Sequence, residues 1–201
     1  MNYDLILASA SPRRADLLQQ IGVRFKVVPS NIDERQRPRE SAVDYVTRMA
    51  LEKARTVAAN HALSVPVLGA DTAVVLGAEI FGKPRDYDAA RTMLQALSGN
   101  THQVLTAVVV DDGETSAALI SETEVTFRHI REHEYLNYWQ SGEPRDKAGA
   151  YAIQGYGAIF VENLQGSYSG VVGLPISQTC KLLEEFKVPI WSQQPLREDL
   201  S

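Results

Sequence analysis

A chain of 201 residues with 44% hydrophobic and 22% charged side chains has the composition of a soluble globular enzyme, long enough for one substantial domain or one domain with two lobes. A net charge of −5 and a pI near 5.4 weigh against a broad duplex-binding face, and no apolar run approaches the ~18 residues that span a bilayer. The single cysteine, Cys180, excludes an internal disulfide and a multi-cysteine metal site; with no basic-then-apolar leader at the N-terminus, the chain is expected in the cytoplasm.

Residues 3–8 form a short apolar run that reads as a buried strand. Ser11 offers an N-cap and Pro12 a first helical position for a helix striped by Leu17, Leu18 and Ile21 and closed by Gly22. Residues 25–28 read as a second strand, and the polar, proline-bearing segment 30–40 leads into a long helix over 41–60 with Val43, Val46, Met49, Ala50 and Ala54 on one side. Residues 66–76 are strongly strand-like, and Gly77-Ala78 turns them toward a short strand over 79–81. A helix over 86–97 precedes two long strands, 102–110 and 116–128, joined at Asp111-Asp112-Gly113, and a helix over 131–140 follows. Residues 148–173 are glycine-rich, with a strand near 158–163, and the last helix, 176–186, carries Cys180 as a buried structural thiol. Strands alternate with helices early and pair as hairpins in the middle. The pattern predicts an α/β fold with a twisted mixed sheet and helices outside, a single domain over residues 1–190 and a polar tail over 191–201.

Charge is uneven along the chain. Residues 1–60 carry ten Lys and Arg against seven Asp and Glu, and the remaining 141 carry ten against eighteen. A mildly basic N-terminal part in an acidic protein points to a local anionic ligand, with neither a nucleic-acid polymer nor a membrane as partner. Within it, Ser9-Ala10-Ser11-Pro12-Arg13-Arg14 puts two arginines in a helix's first turn, where the helix dipole disfavours cations. Two readings compete evenly: a capped helix with solvated arginines, and a phosphate cradle of serine hydroxyls, backbone N–H groups and guanidinium groups.

Asp71 sits inside an apolar strand, where a carboxylate costs several kcal/mol unless it is paired or bound to a cation. That favours a metal ligand or a base over an Asp satisfied by backbone N–H groups. Lys83, in Gly82-Lys83-Pro84, has the reach for a phosphate but is more often a solvated charge in this setting, as is Lys53 beside Glu52 on the long helix. Asp33 and Glu34 lie in the polar loop. Gln154, in a segment of opposite charges and glycines, carries the donor and acceptor that match a uracil or thymine edge, although a backbone cap is the commoner role. His61, His102, His129 and His133 read as surface side chains, since the i, i+4 pair His129/His133 lacks the Glu of a zinc-hydrolase motif. Gly166-Ser167-Tyr168-Ser169-Gly170 reads as a turn.

Taken together these segments resemble the Maf family of nucleotide pyrophosphatases. The resemblance rests on Ala8-Ser9-Ala10-Ser11-Pro12-Arg13-Arg14, Glu52-Lys53-Ala54, Gly69-Ala70-Asp71-Thr72, Gly82-Lys83-Pro84, Leu97-Ser98-Gly99, His102-Gln103-Val104, Asp146-Lys147-Ala148-Gly149-Ala150-Tyr151 with Gln154-Gly155, and Val172-Gly173-Leu174-Pro175, in family order over about residues 3–187. It implies two α/β lobes around an elongated mixed sheet, similar to inosine-triphosphate pyrophosphatases, with the site in the cleft. It also implies hydrolysis of a nucleoside triphosphate to the monophosphate and pyrophosphate with Mg²⁺ or Mn²⁺, held by Asp71, Glu34 or both. Asp71 matches the family's proposed general base. Arg13, Thr72 and Gln154 match positions linked to base selectivity, in the combination expected for dTTP and UTP. Ser9, Arg14, Lys53 and Lys83 would hold the triphosphate. The family brings further expectations: a homodimer, exclusion of modified nucleotides and arrest of cell division. A pyrophosphatase for other canonical or modified nucleotides, and a non-catalytic nucleotide-binding regulator of division, are the alternatives.

Overall fold

The computed structural model describes residues 3–60 and 65–192. In chain order the elements are β1 (Leu5–Leu7), α1 (Pro12–Gln20), β2 (Phe25–Val27), α2 (Ala42–Asn60), β3 (Val67–Leu76), β4 (Glu79–Phe81), α3 (Tyr87–Leu97), β5 (Thr101–Asp111), β6 (Ser116–Phe127), α4 (Glu132–Gln140), β7 (Val161–Gln165), α5 (Tyr168–Val172) and α6 (Ile176–Glu185). The strands form one 7-stranded sheet in the order β2-β1-β3-β5-β6-β7, with β4 also paired to β3. β1 runs parallel to both β2 and β3, because α1 and α2 return the chain before each next strand starts. From β3 onward every pairing is antiparallel, the arrangement that short turns such as Gly77-Ala78 permit.

Side chains alternate across the sheet, and each face acquires its own core. On one face α2 covers Ile6, Val67, Ala73, Val75, Leu105, Ala107 and Val109 through its buried residues Val46, Ala50, Ala54 and Val57. The opposite face carries two cores. Leu5, Leu7, Leu68, Val108 and Val110 pack with Leu17 and Leu18 of α1 and Leu182 and Leu183 of α6. Val74, Val104, Val125 and Phe127 pack with Leu94 of α3 and Tyr135 and Tyr138 of α4. Between these two cores the register aligns Thr72, Thr106 and Ser121 across β3, β5 and β6 as a row of hydroxyls. Thr106 Oγ1 bonds to Thr72 Oγ1 (3.0 Å) and donates to the Gly170 carbonyl (2.8 Å), so α5 docks on this polar row. The row divides the face into two lobes.

Several expectations shift. The glycine-rich segment forms the one-turn helix α5 where a turn was expected. The strand expected near residues 158–163 is β7, preceded by a 3₁₀ turn, Tyr156–Phe160. Val43, assigned to the inner stripe of α2, is 38% exposed. Cys180 is only partly buried against the α1/α6 core, and burial pushes its thiol pKa up. His102 is buried, not at the surface: its ring stands edge-on to Phe127 and Tyr151 and bonds Tyr151 Oη (2.9 Å), and burial lowers its pKa to about 4. His129 precedes α4 while His133 lies on it, so the two do not share a helix. His61 and the tail from Gln193 to Ser201 lie outside the described residues. Among the described residues no helix is long and apolar enough to cross a membrane.

Candidate active site

A break along one edge of β3 makes the site. β1 pairs with β3 only at Ile6–Val67 and Leu7–Leu68, and β4 only from Val74–Phe81 onward. Between them, residues 69–73 of β3 have no strand paired on that side among the described residues. A cleft of about 560 Å³ opens there. Because successive side chains point to opposite faces, Asp71 emerges on the α2 face and Thr72 on the other, yet both line this cleft.

On the α2 face, a glycine sets the geometry. A Cβ at Gly69 would lie 2.2 Å from the Ala50 carbonyl oxygen and 2.8 Å from the Ala54 nitrogen, so the helix backbone rests directly on the strand. Lys53, on the same helical turn, is thereby brought to Asp71, two residues along from Gly69 on the same face. Lys53 Nζ lies 2.7 Å from Asp71 Oδ1 and 2.6 Å from Glu34 Oε1. Lys53 and Asp71 are both buried, while the Glu34 side chain is half exposed. Burial raises the Asp71 pKa, against the pull of the Lys53 and Arg14 charges. Partial burial also pushes Glu34 up, but its bond to Lys53, with the Lys53, Lys83 and Arg14 charges, holds it below its ordinary value. The loop that brings Glu34 in is strapped to α2: Tyr45 Oη donates to the Glu34 carbonyl (2.9 Å), Arg48 Nε to Glu40 (2.5 Å) and Arg37 Nη2 to Glu52 (3.1 Å). Asp33 turns away to Arg35 (2.6 Å), which holds its pKa down to about 2.

On the other face Arg14 is buried and spends its guanidinium on the protein. Nε donates to the Gly173 carbonyl (2.8 Å), Nη1 to Ser9 Oγ (3.2 Å) and Nη2 to Thr72 Oγ1 (3.2 Å). Burial lowers its pKa. Ser11 occupies the N-cap position of α1 without a side-chain cap bond, and its N–H donates to Ser9 Oγ (3.2 Å). These bonds are what a cation at a helix N-terminus requires in place of a favourable dipole. Arg13 stays at the rim, 29% exposed and 3.8 Å from Asp146.

Lys83 and Gln154 are both exposed at the cleft, and the Gly149 N–H donates to the Gly82 carbonyl (3.1 Å), tying together the two segments that carry them. All the candidate residues, Ser9, Arg13, Arg14, Glu34, Lys53, Asp71, Thr72, Lys83 and Gln154, therefore border one cleft. Asp146, Lys147 and Tyr151, which the sequence offers only as part of the family resemblance and with no site role, line it too. Lys147 pairs with Asp146, its neighbour in the chain, a signal too local to stand out. The charged lining comprises Arg13, Arg14, Lys53, Lys83 and Lys147 against Glu34, Asp71 and Asp146, a net positive cleft in a protein of charge −5. Among the described residues no three His, Cys, Asp or Glu side chains gather as metal ligands. The two carboxylates that do converge, Asp71 and Glu34, share one cation, the Lys53 ammonium.

Residues 4–186 match the Maf family, described as Maf-like protein. The chain is 49% identical over 190 residues to a dTTP/UTP pyrophosphatase of Hahella chejuensis, covering 94% of each chain. It is 50% identical over 182 residues to a dTTP/UTP pyrophosphatase of Escherichia coli K12, covering 90% of this chain and 92% of the other. A solved nucleoside-triphosphatase, dITP/XTP pyrophosphatase, from Mycobacterium abscessus aligns over 63% of this chain and 73% of its own at 14% identity, with a TM-score of 0.40. On the match over nearly its whole length, this chain belongs to the Maf family.

Proposed function

We propose that this chain hydrolyses nucleoside triphosphates, dTTP and UTP in particular, to the monophosphate and pyrophosphate. The observation that carries this reading is the buried Asp71–Lys53 pair, joined by Glu34, at the floor of a cleft whose charged lining is mostly basic. A phosphate chain explains the cations, and a reaction explains a carboxylate buried among them. The names of relatives half identical to this chain support the two pyrimidine substrates.

Glu34 and Asp71 offer hard oxygen donors of the kind that suit Mg²⁺ or Mn²⁺; with Asp71 acting as the base, Glu34 would be the ion's protein ligand. Such an ion, when bound, polarises phosphate oxygens and neutralises their charge. The protein's own groups do the rest. Arg13 and Lys83, at the rim, receive the triphosphate, and Arg14, with Ser9 and Thr72, presents a fixed positive floor. Asp71, whose pKa burial raises, orients a water molecule and accepts its proton as the water oxygen attacks the α-phosphorus. The bond to the bridging oxygen breaks, and pyrophosphate leaves with its charge stabilised by Lys53, Lys83 and Arg13. Gln154 reads the N–H and C=O of the uracil or thymine edge; because an amide can flip, Arg13 and Thr72 share in the selection. The setting is the cytoplasm, and the assembly carried over from the family is a homodimer.

The test is Asp71→Asn. A positioned base contributes about 10²–10⁴-fold, so pyrophosphate release from UTP should fall by that factor with the fold intact. Near-native turnover would remove Asp71 from the chemistry.

A further inference from the structure

Gln154 is exposed and makes no side-chain hydrogen bond among the described residues, so the backbone turn that carries it is what places it. Two side chains hold that turn from below. Glu143, just after α4, accepts the Tyr156 N–H on Oε2 (2.8 Å) and the Gly157 N–H on Oε1 (2.9 Å). Tyr138, on α4, donates its hydroxyl to Glu143 Oε1 (2.7 Å) and accepts the Ala152 N–H (3.0 Å). The residues before and after Ile153-Gln154-Gly155 are therefore tied to one Tyr–Glu pair. Two glycines let the pair close: a Cβ at Gly155 would lie 1.9 Å from Glu143 Oε2, and one at Gly157 would lie 2.5 Å from Tyr138 Oη. Tyr138 is itself fixed, 5% exposed with its ring edge-on to Phe160 at 5.1 Å.

We propose that Glu143, with Tyr138, is a positioning residue for substrate selection: it fixes the backbone turn from which Gln154 reaches a pyrimidine edge. The proposal rests on Gln154 as the base reader. Glu143 accepts three hydrogen bonds on two oxygens, and an amide in its place offers one acceptor oxygen and turns an NH₂ toward a backbone N–H. A loosened turn weakens contacts to the base, which are made in ground and transition state alike. KM for UTP then rises while kcat changes little.

The experiment compares wild type, Gln154→Ala, Glu143→Gln, Tyr138→Phe and the double variant Glu143→Gln/Gln154→Ala. Each is assayed for kcat and KM on UTP and CTP, with thermal unfolding of every protein alongside. Glu143→Gln and Tyr138→Phe should each lower the UTP-over-CTP ratio of kcat/KM by about tenfold or more, through KM, and the double variant should discriminate no worse than Gln154→Ala alone. If Gln154→Ala loses discrimination while Glu143→Gln and Tyr138→Phe keep the wild-type ratio and only melt earlier, the clamp is a structural cap and the proposal is overturned. If Gln154→Ala itself keeps the wild-type ratio, the base reader fails and the clamp falls with it. Should Glu143→Gln not fold, Tyr138→Phe decides by the same ratio.

Discussion

Asp71 and Lys53 set the terms at the scale of single residues. A carboxylate with so little solvent is costly unless a cation accompanies it, and Lys53 Nζ at 2.7 Å is the nearest one. Lys53→Met removes that cation while keeping the aliphatic stem. Asp71, already raised by burial, then rises further. A carboxyl raised in the folded state favours folding at low pH and opposes it once the pH passes the raised value. The stability deficit of Lys53→Met relative to wild type should therefore be larger at pH 7 than at pH 5, as measured by urea midpoints. A deficit that grows on acidification would mean that Asp71 does not bear the missing charge. Arg14 illustrates the same economy on the other face: three hydrogen bonds to Gly173, Ser9 and Thr72 replace the solvation it gives up.

At the scale of elements, the site depends on how closely α2 approaches β3. Gly69 permits that approach, and Gly69→Ala forces a methyl group against the Ala50 carbonyl at a nominal 2.2 Å. Relief requires α2 to lift, carrying Lys53 away from Asp71. Overpacking of this kind costs about 1–3 kcal/mol, and activity should fall by more than the loss of folded protein explains. Chemical denaturation together with the specific rate of the folded fraction checks both halves, and an unchanged rate would uncouple the helix from the site. The elements themselves were legible because α1, α2, α3 and α6 repeat apolar residues at helical spacing, and because β3 and β5 are apolar runs bounded by turn residues. Asp71 was legible as a charge inside such a run. What could not be read was distance across the chain. The Arg14–Gly173 bond spans 159 positions, and the Lys53 bridge exists only because Gly69 lets the helix down onto the strand. The burial of His102 was hidden likewise, since its partner Tyr151 lies on another segment and histidine's composition is neutral on burial. Helix α5 escaped notice because five residues with an internal glycine hold no period.

For the whole molecule, one sheet changes from parallel to antiparallel pairing at β3, and the unpaired edge left at that change is where the cleft lies. The hydroxyl row Thr72–Thr106–Ser121 separates two cores on one face, while α2 spans the other, so residues from distant parts of the chain meet at the division. A cleft with five basic and three acidic side chains inside an acidic protein concentrates anions locally. The measurement that bears most directly on the proposed reaction is a panel of canonical nucleoside triphosphates incubated with the purified protein, with pyrophosphate detected with and without Mg²⁺ or Mn²⁺. Metal-dependent pyrophosphate release should be fastest with UTP and dTTP and abolished by a chelator. Tight nucleotide binding with no pyrophosphate from any member of the panel would contradict it.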